Sequence, residues 1–137
     1  MSFLLDTDVL SQPSKAIPNA AAIDWIARND AGRMYLSVVS LAEVRAGIGG
    51  IPAGKRRTAL AEWLDTVLVP HFHGRILPGT EEIAYECGDL IANCRRAGYN
   101  VQAMDALVAA TAKVHRLSVV TLNRKHFIQL GVPVVTL

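Results

Sequence analysis

The chain has 137 residues, of which 51% are apolar and 19% charged, with a mean hydropathy of +0.27. That balance excludes a disordered polar chain, and no run free of Asp, Glu, Lys and Arg exceeds about a dozen residues, where a membrane-spanning helix needs about 20. Its 14 basic and 12 acidic residues leave a net charge of +2, too small to imply a polyanionic partner by itself.

At roughly 100–200 residues per domain, one domain spanning 1–137 is expected. The first strand is Phe3-Leu4-Leu5, and it runs straight into Asp6-Thr7-Asp8. The segment before Asp6 has no basic region and does not read as a signal peptide. Pro13 and Pro18 punctuate the next stretch. Asn19 is a good N-cap for a helix with Ala22, Ile23, Ile26 and Ala27 on one face. Asn29-Asp30-Ala31-Gly32 stops it. A second strand, Met34 to Val38, is apolar almost throughout, as strands covered on both faces are.

Ser40 then opens a predicted helix through Ala46, and Glu43 three residues on also fits a purely structural capping box. Glycines and Pro52 break the chain between Gly47 and Gly54. Leu60, Trp63, Leu64, Val67 and Leu68 recur at helical spacing, and Pro70 is expected to end that helix. His71 and His73 share one face if they lie on a strand, but no further ligand lies near them in sequence. Arg75-Ile76-Leu77 is a third strand. Thr80 caps a helix whose first turn carries Glu81 and Glu82, where the helix dipole favours acids. Gly98 is its natural stop. Cys87 and Cys94 on this helix stand roughly 10 Å apart at about 1.5 Å per residue, too far for a disulfide. They read as two buried thiols in a reducing cytoplasm.

A helix rich in alanine follows from Gln102 to His115, then a strand from Ser118 to Leu122 and a last strand from Val134 to Thr136. Strands alternate with helices throughout, which predicts an α/β fold with a mostly parallel central sheet flanked by helices. Ligands of such sheets bind at the carboxyl ends of the strands. Asp6 and Asp8 follow the first strand, Glu43 the second, and Asn123 the fourth. Asp105 stands in an otherwise neutral run and needs a partner if buried. Converging acids repel unless a cation neutralises them, and oxygen ligands suit Mg²⁺ or Mn²⁺. Singly, Asp6 and Asp8 also fit a turn or an N-cap, and Asp105 a helix start.

Four segments carry a resemblance that spans nearly the whole chain: Leu4 to Ser11, Ser40 to Gly47, Asp105 to Ala112, and Val119 to Phe127. Their order and spacing resemble the PIN-domain ribonuclease toxins of VapBC-type toxin–antitoxin pairs, in the branch similar to the FitB proteins. The resemblance implies a metal-dependent endoribonuclease that is a homodimer and is covered by a small antitoxin protein. Gly47–Gly54 and the helix after it are places for those contacts. Asp6, Glu43 and Asp105 match the family's metal-binding acids, with Thr121 and Asn123 as a polar pair beside them and Thr7 and His126 in supporting positions. Two positions depart from the family pattern. Asp8 stands where Asn is frequent, and His126 where an acid is usual. Asp8 is expected to replace part of the missing charge.

With Asp6, Asp8, Glu43 and Asp105 neutralised by metal, 14 basic residues face 8 remaining acids. Arg124 and Lys125 adjoin the site and are the first choice for RNA phosphate contacts, ahead of Lys55-Arg56-Arg57 and Arg95-Arg96. Two other readings compete. In one, a PIN-like module weakened by His126 only binds nucleic acid or a partner. In the other, Asp6-Thr7-Asp8 opens a haloacid-dehalogenase-type phosphatase, which requires an acid pair after a late strand.

Overall fold

The structure, a computed structural model, describes residues 1–137. Five strands form one sheet: β1 (Phe3–Leu5), β2 (Met34–Ser37), β3 (Ile76–Leu77), β4 (Ser118–Val120) and β5 (Val134–Val135). Their order is β3-β2-β1-β4-β5, and every neighbouring pair is parallel. The helices between them are α1 (Thr7–Leu10), α2 (Ala20–Arg28), α3 (Val38–Gly49), α4 (Lys55–Trp63), α5 (Val69–His71), α6 (Glu81–Arg96), α7 (Ala103–His115) and α8 (Arg124–Ile128). No helix is long and apolar enough to cross a membrane.

Alternation along the central strands divides the apolar side chains between the two faces. Leu4 and Val119 join Ile83, Cys87, Leu90, Val108 and Phe127 under α6, α7 and α8. Leu5, Met34, Leu36 and Val120 join Val9, Ala22, Val44, Leu64 and Leu68 under α1 to α4. Both cysteines are free and buried, as the helix spacing requires.

On the first face the local signals hold. Thr80 caps α6 by accepting from the Ile83 N–H at 3.2 Å, and Gly98 adopts a φ of +86° just past its end. There the Tyr99 N–H reaches the Cys94 carbonyl at 2.8 Å, a Schellman closure. On the second face four expectations shift. Strand β2 stops at Ser37, whose hydroxyl accepts from the Val39 N–H at 3.0 Å, so α3 starts earlier than Ser40. The capping box therefore does not form: Ser40 is fully buried inside α3, and Glu43 turns to the first strand's end instead. Pro70 does not stop the helix before it. A π turn at Leu64–Leu68 lets the Val69 N–H donate to the Leu64 carbonyl, and Pro70 sits in the first turn of α5, where a missing N–H costs little. His71 and His73 consequently lie at a helix end and in the turn after it, not on a strand. Strand β4 is also shorter than expected, because the Thr121 hydroxyl turns to Asp6 and the Leu122 N–H to Asp8, and β5 ends at Val135, one residue early.

Candidate active site at the carboxyl edge of the sheet

The parallel register pairs Leu5 with Val120. The residues that follow, Asp6 and Thr121, therefore emerge side by side from the two central strands. The Asp6 N–H still bonds the Val120 carbonyl at 2.9 Å, which pins this edge. Asp6 also caps α1, its Oδ1 accepting from the Thr7 N–H at 2.9 Å. The cap reading of Asp6 is thus met by Oδ1, and Oδ2 is left to face the strand edge. Oδ2 accepts from the Thr121 hydroxyl at 2.9 Å, and Asp8 Oδ2 lies 3.4 Å from the same hydroxyl. The Leu122 N–H points at both Asp8 oxygens, at 3.2 and 3.1 Å. Thr121 is in turn held by the Asn123 N–H, 2.9 Å from its Oγ1.

Helix α3 brings in the third acid. Its short link to β2 leaves Glu43 one turn down, where Oε1 accepts from the Thr7 hydroxyl at 2.9 Å. Asp105, in the first turn of α7, pairs with His126 of α8, Nδ1 to Oδ2 at 3.0 Å. His126 therefore faces the site's acids.

The electrostatics follow from burial. Asp6 is only 6% exposed, and its pKa is raised from 3.8 to about 7, first by burial and then by the charge of Asp8, with Asp105 adding to it. The Asp8 carboxyl is also pushed up by burial, against hydrogen bonds from Leu122 and Thr121 that favour its charge. The ion pairs of the chain give Asp6, Asp8 and Glu43 no basic partner. An edge of oxygen donors with no cation of its own fits a hard divalent ion. No three His, Cys, Asp or Glu side chains converge closely enough to enclose one by themselves.

Two clefts flank this edge. One, of about 300 Å³, runs past Thr7, Glu43, Lys15, Arg56 and Trp63. The other, of about 120 Å³, opens beside Asp105 and His126. Arg124 is tied elsewhere, its Nη1 donating to the Thr136 hydroxyl at 3.0 Å. Lys125, the next residue of α8, is exposed. The basic residues in the cleft beside Glu43 are Lys15 and Arg56. Arg56 belongs to a basic cluster ranked lower in the sequence, and Lys15 carried no signal, being a lone lysine in an irregular stretch.

Comparison with known proteins gives a consistent picture. The PIN domain family matches residues 3–132. The plasmid stability protein StbB of Pseudomonas syringae pv. tomato is 38% identical over 132 residues, covering 96% of this chain and 95% of its own. The VapC ribonuclease Y4jK of Sinorhizobium fredii is 34% identical over 132 residues, covering 96% and 94%. Toxin FitB of Neisseria gonorrhoeae is 35% identical over 131 residues, covering 96% and 94%. A crystal structure of FitAcB from the same organism superposes with a TM-score of 0.92 at 34% identity, over 98% of this chain and 96% of that one.

Proposed function

The chain belongs to the PIN-domain family, and on that premise we propose that it is a divalent-cation-dependent endoribonuclease acting as the toxin of a toxin–antitoxin pair. The observation that carries this reading is Asp6: a buried carboxyl raised to about 7 by burial and by two neighbouring acids, with no basic partner. Uncompensated buried charge is costly, and a cation at this edge removes the cost. Asp6, Asp8, Glu43 and Asp105 would hold Mg²⁺ or Mn²⁺. When bound, such an ion supplies a Lewis acid that activates water near neutral pH and offsets charge on a phosphodiester.

The chain's own residues prepare the reaction. Thr121 and the Thr7 N–H fix one oxygen each of Asp6, Thr7 turns Glu43 inward, and His126 holds Asp105. Lys15 and Arg56 give the larger cleft a positive wall for the phosphates of an RNA strand. The phosphatase alternative falls with the family assignment, and β4 leads into Thr121, Leu122 and Asn123 rather than an acid pair.

The antitoxin finds support on the second face. An apolar groove of about 200 Å³ runs between Leu10, Pro13, Ile26, Trp63, Val67 and Phe72, and Val67 is 54% exposed there. A homodimer and a place in the cytoplasm complete the proposal.

The test is cleavage of RNA by purified protein with Mg²⁺ or Mn²⁺, against EDTA and against Asp6→Asn. The expected result is loss of cleavage in both controls. Cleavage that survives either one contradicts the proposal. A folded, partner-free protein that binds RNA without cutting it supports the weakened binding module instead.

A further inference from the structure

The cavity of about 120 Å³ beside Asp105 is walled by Asn100, Val101, Gln102, His126 and Gln129. It is assembled from three places: the loop after α6, the N-terminus of α7 and the C-terminal cap of α8. Three of its walls are carboxamides, and the fold makes little use of them. Gln102 stands at the N-cap of α7 yet makes no side-chain bond to it. Gln129 is engaged through its main chain, the carbonyl accepting from Cys94 Sγ at 3.3 Å and the N–H reaching the Lys125 carbonyl. Asn100 and Gln129 are both exposed. His126 Nδ1 lies 3.0 Å from Asp105 Oδ2, which orients the ring along the cavity's edge.

The chemistry of these walls selects the occupant. No lysine or arginine lines the cavity, so it offers a phosphate no ammonium or guanidinium partner. A carboxamide offers a donor and an acceptor side by side, the pattern needed at the edge of a nucleobase. Unpaired bases of RNA are read in this way, by hydrogen bonds to their edges and by ring stacking. The flanking clefts are therefore unlike: a cationic one beside Glu43 and an amide-lined one beside Asp105. A strand crossing the acid edge between them meets both.

We infer that the amide-lined cavity receives one unpaired nucleobase of the RNA strand next to the bond that is cut, with Asn100, Gln102 and Gln129 reading its edge. This rests on the ribonuclease reading and adds to it a position-specific base preference.

The experiment is cleavage of a randomised single-stranded RNA pool by wild type, Asn100→Ala and Gln129→Leu, with the cut ends sequenced. A fixed-sequence oligonucleotide is then compared with the same strand made abasic at the preferred position. Wild type is expected to favour one base or base class at one position beside the cut. Each variant is expected to lose about tenfold of that discrimination, chiefly in KM, while Mn²⁺ binding read by calorimetry stays at the wild-type value. On the abasic strand wild type falls to the level of the variants, and the variants fall no further. An unchanged base preference in both variants overturns the cavity assignment alone and leaves the nuclease standing. So does an abasic strand cut as fast as the intact one. Absence of any cleavage by wild type overturns the ribonuclease reading and this inference together.

Discussion

The two faces of the sheet are built differently. Under α6, α7 and α8 the core closes around fully buried residues such as Phe127, Val108 and Ala109, and the helix ends are finished by Thr80 and Gly98. Under α1 to α4 the core is met by a π turn, a proline at the start of α5, and an open apolar groove. The first face gives the site a fixed wall, since α7 and α8 carry Asp105 and His126. The second leaves exposed apolar surface such as Val67, which suits a partner. The acid edge draws on both sides, Asp105 and His126 from the first and Glu43 with Thr7 from the second, while the open apolar groove lies on the second alone.

Removing Asp6 is expected to have the largest effect. Asp6→Asn should lower RNA cleavage by about 10²-fold or more, while raising the melting temperature of metal-free protein at pH 8, because it deletes a buried charge. A lower melting temperature there would show that Asp6 is already compensated.

Core truncations sharpen the contrast between faces. Phe127→Ala should cost about 3–5 kcal/mol in denaturant unfolding, since that ring is 0% exposed, and should loosen α8 beneath His126. Leu68→Ala should fall near the low end of about 2–5 kcal/mol, because Leu68 lines the open groove. Equal losses would mean that the groove closes in solution.

Stability against pH separates the acid edge from both cores. The Asp6 carboxyl is raised from 3.8 to about 7, so the folded chain keeps a proton that the unfolded chain has lost. Metal-free protein is therefore expected to lose stability as pH rises from about 4 to 7, by a few kcal/mol at about 1.4 kcal/mol per unit, with the full penalty above 7. Saturating Mn²⁺ should remove that slope, and so should Asp6→Asn. The smallest effect is at a cap: Thr80→Ala should cost about 1 kcal/mol, read from thermal unfolding.

Legibility in the sequence followed the same division. The Thr80 cap, the Gly98 stop and the spacing of the cysteines were readable from residues close in sequence, and the parallel α/β order from the alternation of apolar strand and helix patterns along the chain. The start of α3 was misplaced, since Ser37 and Ser40 are equally good caps and only the end of β2 decides between them. Pro70 misled because the π turn that accommodates it has no local signature. At the candidate site, Asp6 and Glu43 drew notice by their places after strands, Asp105 by its isolation in a neutral run, and all three by the family resemblance. The Thr121 bridge from Asp6 to Asp8 and the pairing of His126 with Asp105 depend on the β1–β4 register and on α7 packing against α8. Asn100, Gln102 and Gln129 left no trace, because three amides from three elements share no spacing.

The most direct test of Asp6 as the anchor of a divalent cation is calorimetric titration of Mn²⁺ into metal-free protein in buffers of different ionisation enthalpy. Near pH 7, binding should release about half a proton from Asp6, falling toward none by pH 8.5, and Asp6→Asn should bind more weakly with no such release. Equal affinity and equal proton release in wild type and Asp6→Asn would contradict it.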